Sequence, residues 1–241
     1  MNAKKLIEAH AVRGLPTATP PAIGRHLVIV PPVCGLASRL DANLRSLADT
    51  LAAGHESVRI VEFPGQNRRA GEFSIAHSCE LLQSYVAALS PACGVRLIGL
   101  CSGAIACLSV AAVRTDVTHV FAWEVSPRYH YDRSHRMYCE RRFGVRFCEQ
   151  SWLRPIQPTA LTPLLRCRVA FASGDLSGYC DDRGQEELFG LALHGVQLKL
   201  RGLGHFLSES PGRERLAHAF LEWSGVDPHA PRATNRLTLV G

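Results

Sequence analysis

The sequence predicts an α/β fold: a mostly parallel sheet with helices on both faces. Three observations carry that expectation. Short apolar runs of strand length alternate with segments of helical period, as successive strand–helix units do. One unit, Val95-Arg96-Leu97-Ile98-Gly99-Leu100-Cys101-Ser102-Gly103-Ala104-Ile105-Ala106, joins a buried strand to a helix of small residues through a Gly-x-Cys-x-Gly turn. The last apolar run leads into Gly202-Leu203-Gly204-His205, a histidine bracketed by glycines. At 241 residues and 46% hydrophobic content, the chain suits one domain with a full core.

The elements follow in order. Residues 1–25 read as an N-terminal extension, with a short helical piece over 3–12 and a linker marked by Pro16, Pro20 and Pro21. Apolar runs at 27–30, 58–63, 95–99, 118–123, 168–172 and 196–200 read as the core strands. Between them, Leu40, Leu44, Leu47 and Leu51 fall on one helical face, and Ile75, Cys79, Leu82 and Val86 fall on another. A helix is expected from about Gly212 to Trp223, and residues 226–241 read as a tail. One stretch breaks the alternation. Residues 126–165 hold seven arginines (Arg128, Arg133, Arg136, Arg141, Arg142, Arg146 and Arg154) among Tyr129, Tyr131, Tyr138, Phe143, Phe147 and Trp152. A structureless loop of that length is uncommon, so a helical cap over the site is expected.

Composition narrows the function. The formal net charge is +6 and only three of the 27 basic residues are lysines. Arginine suits bidentate contact with carboxylates and phosphates, which fits an acidic protein partner or a phosphate-bearing substrate. No nucleic-acid-binding module is recognisable, so no nucleic acid is expected as a partner. No run approaches the roughly 18 apolar residues of a membrane span, and no signal-peptide pattern follows Lys4 and Lys5. The nine cysteines are scattered, without C-x-x-C spacing, so neither a disulfide framework nor a metal site is expected; reduced thiols in the cytoplasm are the simpler reading.

The turn at Cys101 carries the chemistry. It matches the G-x-S-x-G nucleophile elbow with cysteine in place of serine. Such a turn presents its central side chain at the N-terminus of the following helix, where backbone N–H groups and the helix dipole favour a thiolate and later an oxyanion. A nucleophile needs a base, and elbow enzymes carry their histidine last in chain order, where His205 stands.

Together these residues resemble the α/β-hydrolase superfamily, and more narrowly the thioesterases of nonribosomal peptide and polyketide synthesis, over roughly residues 26–224. Val30-Pro31-Pro32-Val33-Cys34-Gly35 is similar to the loop that supplies half of their oxyanion hole. Phe63-Pro64-Gly65-Gln66-Asn67-Arg68-Arg69 is similar to the Pro-Gly-Arg stretch of the stand-alone type II enzymes, and Gly204-His205-Phe206-Leu207 to their histidine loop. The resemblance implies Cys101 as nucleophile, His205 as base, and the N–H groups of Val33 and Ser102 as oxyanion donors. It leaves two acids open. Ser177 occupies the usual type II slot for the acid, with Asp175 two residues early; Glu124 fits the slot that synthetase-embedded thioesterases use and is preferred.

The expected activity is thioesterase-like hydrolysis or acyl transfer through a Cys101 thioester, with no cofactor of its own. The acyl group is expected on the phosphopantetheine of an acyl or peptidyl carrier protein, met by Arg141, Arg142, Arg68 and Arg69. A thiolate leaves readily, so a cysteine elbow suits onward transfer or ring closure better than hydrolysis. Two alternatives stay open: a cysteine-type ester or lactone hydrolase similar to dienelactone hydrolases, and a non-catalytic scaffold used for binding.

Overall fold

The computed structural model describes residues 7–10, 26–35, 39–52, 57–66, 70–89, 94–129, 133–149, 156–205, 207, 212–225 and 238–240. In chain order its elements are β1 (Ile7–His10), β2 (His26–Val30), α1 (Arg39–Leu51), β3 (Ser57–Val61), α2 (Ile75–Ala88), β4 (Val95–Leu100), α3 (Ser102–Val113) and β5 (Val117–Trp123). They continue with α4 (Arg133–Phe143), α5 (Pro158–Leu161) running into a 3-10 turn (Thr162–Leu164), β6 (Arg168–Gly174), α6 (Asp182–Leu191), β7 (Gly195–Leu200), α7 (Gly212–Ser224) and β8 (Thr238–Val240).

The strands form one sheet in the order β1-β7-β6-β5-β4-β2-β3-β8. Every neighbouring pair is parallel except β1 with β7. A parallel sheet must be covered on both faces, and the strand residues divide accordingly. Val28, Val30, Leu97 and Val120 pack with Leu82 of α2 and with Ile105 and Leu108 of α3. Their neighbours Leu27, Ile29, Ile98 and Phe121 pack with Leu44 and Leu47 of α1 and Phe220 of α7. This two-residue alternation sends successive side chains into separate cores. Helix α3 is buried along most of its length, which explains its small apolar residues. The side chains of Ser74 and Asp181 cap α2 and α6 by accepting from the amides of His77 and Gly184.

After β2 the chain turns toward β3, and after β4 toward β5. The direction of winding reverses there, so a crevice opens beyond the carboxyl ends of β2 and β4. That is where the Pro31–Gly35 loop and Cys101 meet.

Two segments differ from expectation. The helical piece anticipated over residues 3–12 contains β1, paired antiparallel with β7 from Ile7↔Leu200 to His10↔Gln197. In the anticipated tail, β8 pairs with β3 from Arg59↔Thr238 to Val61↔Val240. The cause is the same at both ends. A bare sheet edge offers a row of unpaired N–H and C=O groups, and short chain segments there gain more from that ladder than from an isolated helical turn.

Candidate active site

Cys101 lies between β4 and α3 with φ 51° and ψ −117°, in the left-handed region that a residue with a Cβ rarely adopts. Its neighbours leave no alternative. A Cβ on Gly99 would stand 2.3 Å from Ala104 Cα, and one on Gly103 would stand 2.3 Å from the Val30 carbonyl oxygen. The two glycines therefore let strand, turn and helix approach closely, and the turn pushes the Cys101 side chain outward. The Cys101 amide donates to the Trp123 carbonyl at 2.7 Å, tying the turn to the end of β5.

The Cys101 side chain borders a cavity of about 390 Å³ whose walls include Val33, Tyr138, Cys139, Phe143, Leu176 and Tyr179. Cys101 is 6% exposed. Among the described residues, no lysine, arginine or carboxylate lines the cavity. One wall belongs to α4, in the segment 126–165.

His205 stands across this cavity in the loop after β7, its side chain 15% exposed. Its backbone carbonyl accepts the Trp123 indole N–H at 3.2 Å. Burial works to lower its pKa, but the neighbouring Cys101 sulfur and then the Glu124 carboxylate outweigh burial and raise it to about 9. The imidazolium form is thus favoured between the sulfur and the carboxylate.

Glu124 is the acid that faces His205. It follows β5, has φ 54°, and is 0% exposed. Its Oε1 accepts the Gly174 amide at 2.6 Å, its Oε2 accepts the Ser177 hydroxyl at 2.8 Å, and Oε2 lies 3.9 Å from His205 Nδ1. Asp175, the other acid left open by the sequence, is turned elsewhere: its Oδ1 accepts the Gly202 amide at 2.6 Å. It shapes the turn that leads to His205. Ser177, which the sequence places in the type II acid position, donates its hydroxyl to Glu124.

Val33 N–H, expected as an oxyanion donor, donates here to Ser102 Oγ at 2.6 Å. The Ser102 hydroxyl beside Cys101 is a good acceptor for a buried amide, and a buried N–H is rarely left unpaired. Ser102 opens α3, so its own N–H has no acceptor within the helix. Gln66 fixes the same loop: its side chain accepts the Phe63 amide at 2.7 Å and donates to the Pro32 carbonyl at 2.9 Å.

Arg141 and Arg142 are exposed in the last turn of α4 and do not border the cavity. Arg68 and Arg69 lie outside the described residues. Sequence reasoning missed Tyr179, whose hydroxyl lies 3.4 Å from Cys101 Sγ and whose ring centroid lies 4.2 Å from that of His205. Its one sequence signal was position, five residues past the end of β6. Among the described residues no cluster of three or more histidines, cysteines or carboxylates is arranged to hold a metal ion, and no helix is long and apolar enough to cross a membrane.

The sequence matches no known family model and no curated protein. Solved structures do superpose on it. The esterase domain of a Rhodothermus marinus protein shares 14% identity over 90% of this chain and 97% of that chain, with a TM-score of 0.60. YbtT, a type II thioesterase from the yersiniabactin NRPS/PKS pathway, shares 16% identity over 93% of this chain and 98% of that chain, with a TM-score of 0.61. The thioesterase domain from the curacin biosynthetic pathway shares 15% over 84% and 92%, with a TM-score of 0.59. Strand order, parallel register and these superpositions give the chain the α/β-hydrolase fold.

Proposed function

We propose that the protein is a thioesterase-like acyltransferase or hydrolase that works through a Cys101 acyl-thioester. The observation that carries this reading is the convergence of a strained, cavity-facing Cys101 with His205 and the buried Glu124. Cysteine paired with an imidazolium is the usual form of an activated thiol.

In the proposed cycle the Cys101 thiolate attacks the carbonyl carbon of an incoming pantetheine thioester. The tetrahedral oxyanion is met by Ser102 N–H, and by Val33 N–H once the Ser102 hydroxyl turns away. Each such donor typically contributes about 2.7–4 kcal/mol to lowering the barrier. The bond from Cys101 Sγ to carbon forms, the carbon–sulfur bond to pantetheine breaks, and the departing thiolate takes the proton held by His205. An acceptor, whether water, amine, hydroxyl or thiol, then attacks the acyl-enzyme. It gives its proton to His205, and Cys101 leaves as thiolate. Glu124 orients the imidazole and balances its charge throughout.

The apolar walls around Val33, Phe143 and Leu176 favour an uncharged acyl group. Helix α4 serves as the cover, and its exposed Arg141 and Arg142 suit an acidic acyl or peptidyl carrier protein. YbtT and the curacin thioesterase domain, named for such pathways, are consistent with that partner.

Intact-protein mass spectrometry after mixing with an acyl-pantetheine donor tests the reading. Wild-type protein is expected to gain one acyl group, and Cys101→Ala none. No adduct on wild type, or an equal adduct on both proteins, overturns it.

A further inference from the structure

The hydroxyl of Tyr179 touches the atom that reacts. The loop after β6 brings it to 3.4 Å from Cys101 Sγ, and the Tyr179 ring lies on the His205 imidazole with centroids 4.2 Å apart and planes 33° apart. The loop is not held by chance. The Tyr179 amide donates to Ser177 Oγ at 3.2 Å, and the same Ser177 hydroxyl donates to Glu124 Oε2 at 2.8 Å. A second line of contacts therefore runs from the acid to the sulfur: Glu124 to Ser177, Ser177 to Tyr179, Tyr179 to Cys101. The first line runs through His205.

We infer that Tyr179 is a catalytic residue whose phenol donates a hydrogen bond to the ionised Cys101 sulfur, stabilising it both as attacking thiolate and as leaving group. The inference rests on the proposed acyl-thioester chemistry for its purpose. A neutral thiol can donate its S–H to the phenol oxygen; an ionised sulfur has no proton, so the phenol O–H must then be the donor. Burial, and then the charge of Cys101, push the Tyr179 phenol above its ordinary value, so it keeps the proton this role needs. In deacylation the bond between Cys101 Sγ and the acyl carbon breaks, and the electron pair returns to a sulfur already facing a donor. Hydrogen bonds to a charged partner are the stronger kind.

Other titratable groups surround the sulfur. His205 faces it from the loop after β7 with Glu124 on the far side of the imidazole, Cys34 from the loop after β2, Cys139 and His135 from α4, and Cys180 from the loop that carries Tyr179. Burial pushes the thiols of Cys34 and Cys139 up to about 12 and that of Cys180 to about 11, so these three stay neutral through neutral pH.

The test is the rate of Cys101 alkylation by iodoacetamide, read by peptide mapping across pH in wild type and Tyr179→Phe. The variant keeps the ring over His205 and loses only the hydroxyl; at 41% exposure, Tyr179 is no core residue whose trimming threatens the fold. At neutral pH the variant is expected to react about tenfold more slowly, the worth of one hydrogen bond to a charged group. The gap between the two rates is expected to narrow as pH rises from 7 toward 9, while the fold still holds. Superimposed profiles, or a uniform slowing at every pH, overturn the inference. The reagent needs no acyl donor, so this outcome is independent of whether the acyl-pantetheine experiment succeeds.

Discussion

The Glu124 carboxylate accepts two hydrogen bonds, at 2.6 Å from Gly174 and 2.8 Å from Ser177, besides facing His205 at 3.9 Å. Both donors fix its position at the end of β5, facing the imidazole. Glu124→Gln keeps the size and removes the charge. His205, raised to about 9 in part by Glu124, is then expected to lose its proton at lower pH, and acyl transfer to fall by a factor of about 100 or more. Asp175→Asn preserves an oxygen acceptor for the Gly202 amide and is expected to stay within a few-fold of wild type. Imidazole NMR titration and single-turnover kinetics check the pair; equal losses in the two variants would reject Glu124 as the acid. Cys101 and His205 were legible in the sequence because glycines and chain order mark them. Glu124 was preferred over Asp175 by its slot alone; the direction in which each loop carboxylate turns was not legible. Nor was the Val33 amide, whose partner is a side chain 69 residues away.

At the level of elements, the elbow works because backbone meets backbone. A methyl group on Gly103 would fall 2.3 Å from the Val30 oxygen and 2.4 Å from the Pro31 oxygen, and neither can move without disturbing β2 and the loop after it. Gly103→Ala is therefore expected to cost about 1–3 kcal/mol of stability and to slow Cys101 alkylation, since α3 must lift away from β2. Gly178 gives the contrast. It borders the same cavity, but nothing lies within 4 Å of its added Cβ, so Gly178→Ala should leave stability within about 0.5 kcal/mol. Urea unfolding measures both, and a Gly103→Ala protein as stable as wild type would refute the steric account. The six core strands and the faces of α1 and α2 carry periods that burial imposes on sequence. The strands β1 and β8, four and three residues long, carry no period; the open edges of β7 and β3 decide them.

At the scale of the whole molecule, the cysteines make stability depend on alkaline pH. All eight cysteines among the described residues are free, and seven are buried. Burial raises the thiols of Cys34, Cys139 and Cys167 to about 12 and those of Cys79 and Cys180 to about 11, from an ordinary value of 9.0. Cys107, fully buried, is raised as well. Above pH 9 the unfolded chain releases these protons while the folded chain keeps them. The folded state then binds more protons, so the free energy of unfolding falls as pH rises. Each thiol contributes about 1.4 kcal/mol per pH unit between its two values, so several together offset a large part of the stability of an ordinary domain. His205 adds with the same sign at lower pH: its contribution is complete below about 6.5 and is lost as pH rises through about 9. Under reducing conditions the urea midpoint is therefore expected to decline gently from pH 7 to 9 and then to collapse within about one further unit. A midpoint that holds level from pH 8 to 10 would show that the thiols ionise without leaving the core, and the burial assigned to them would be wrong.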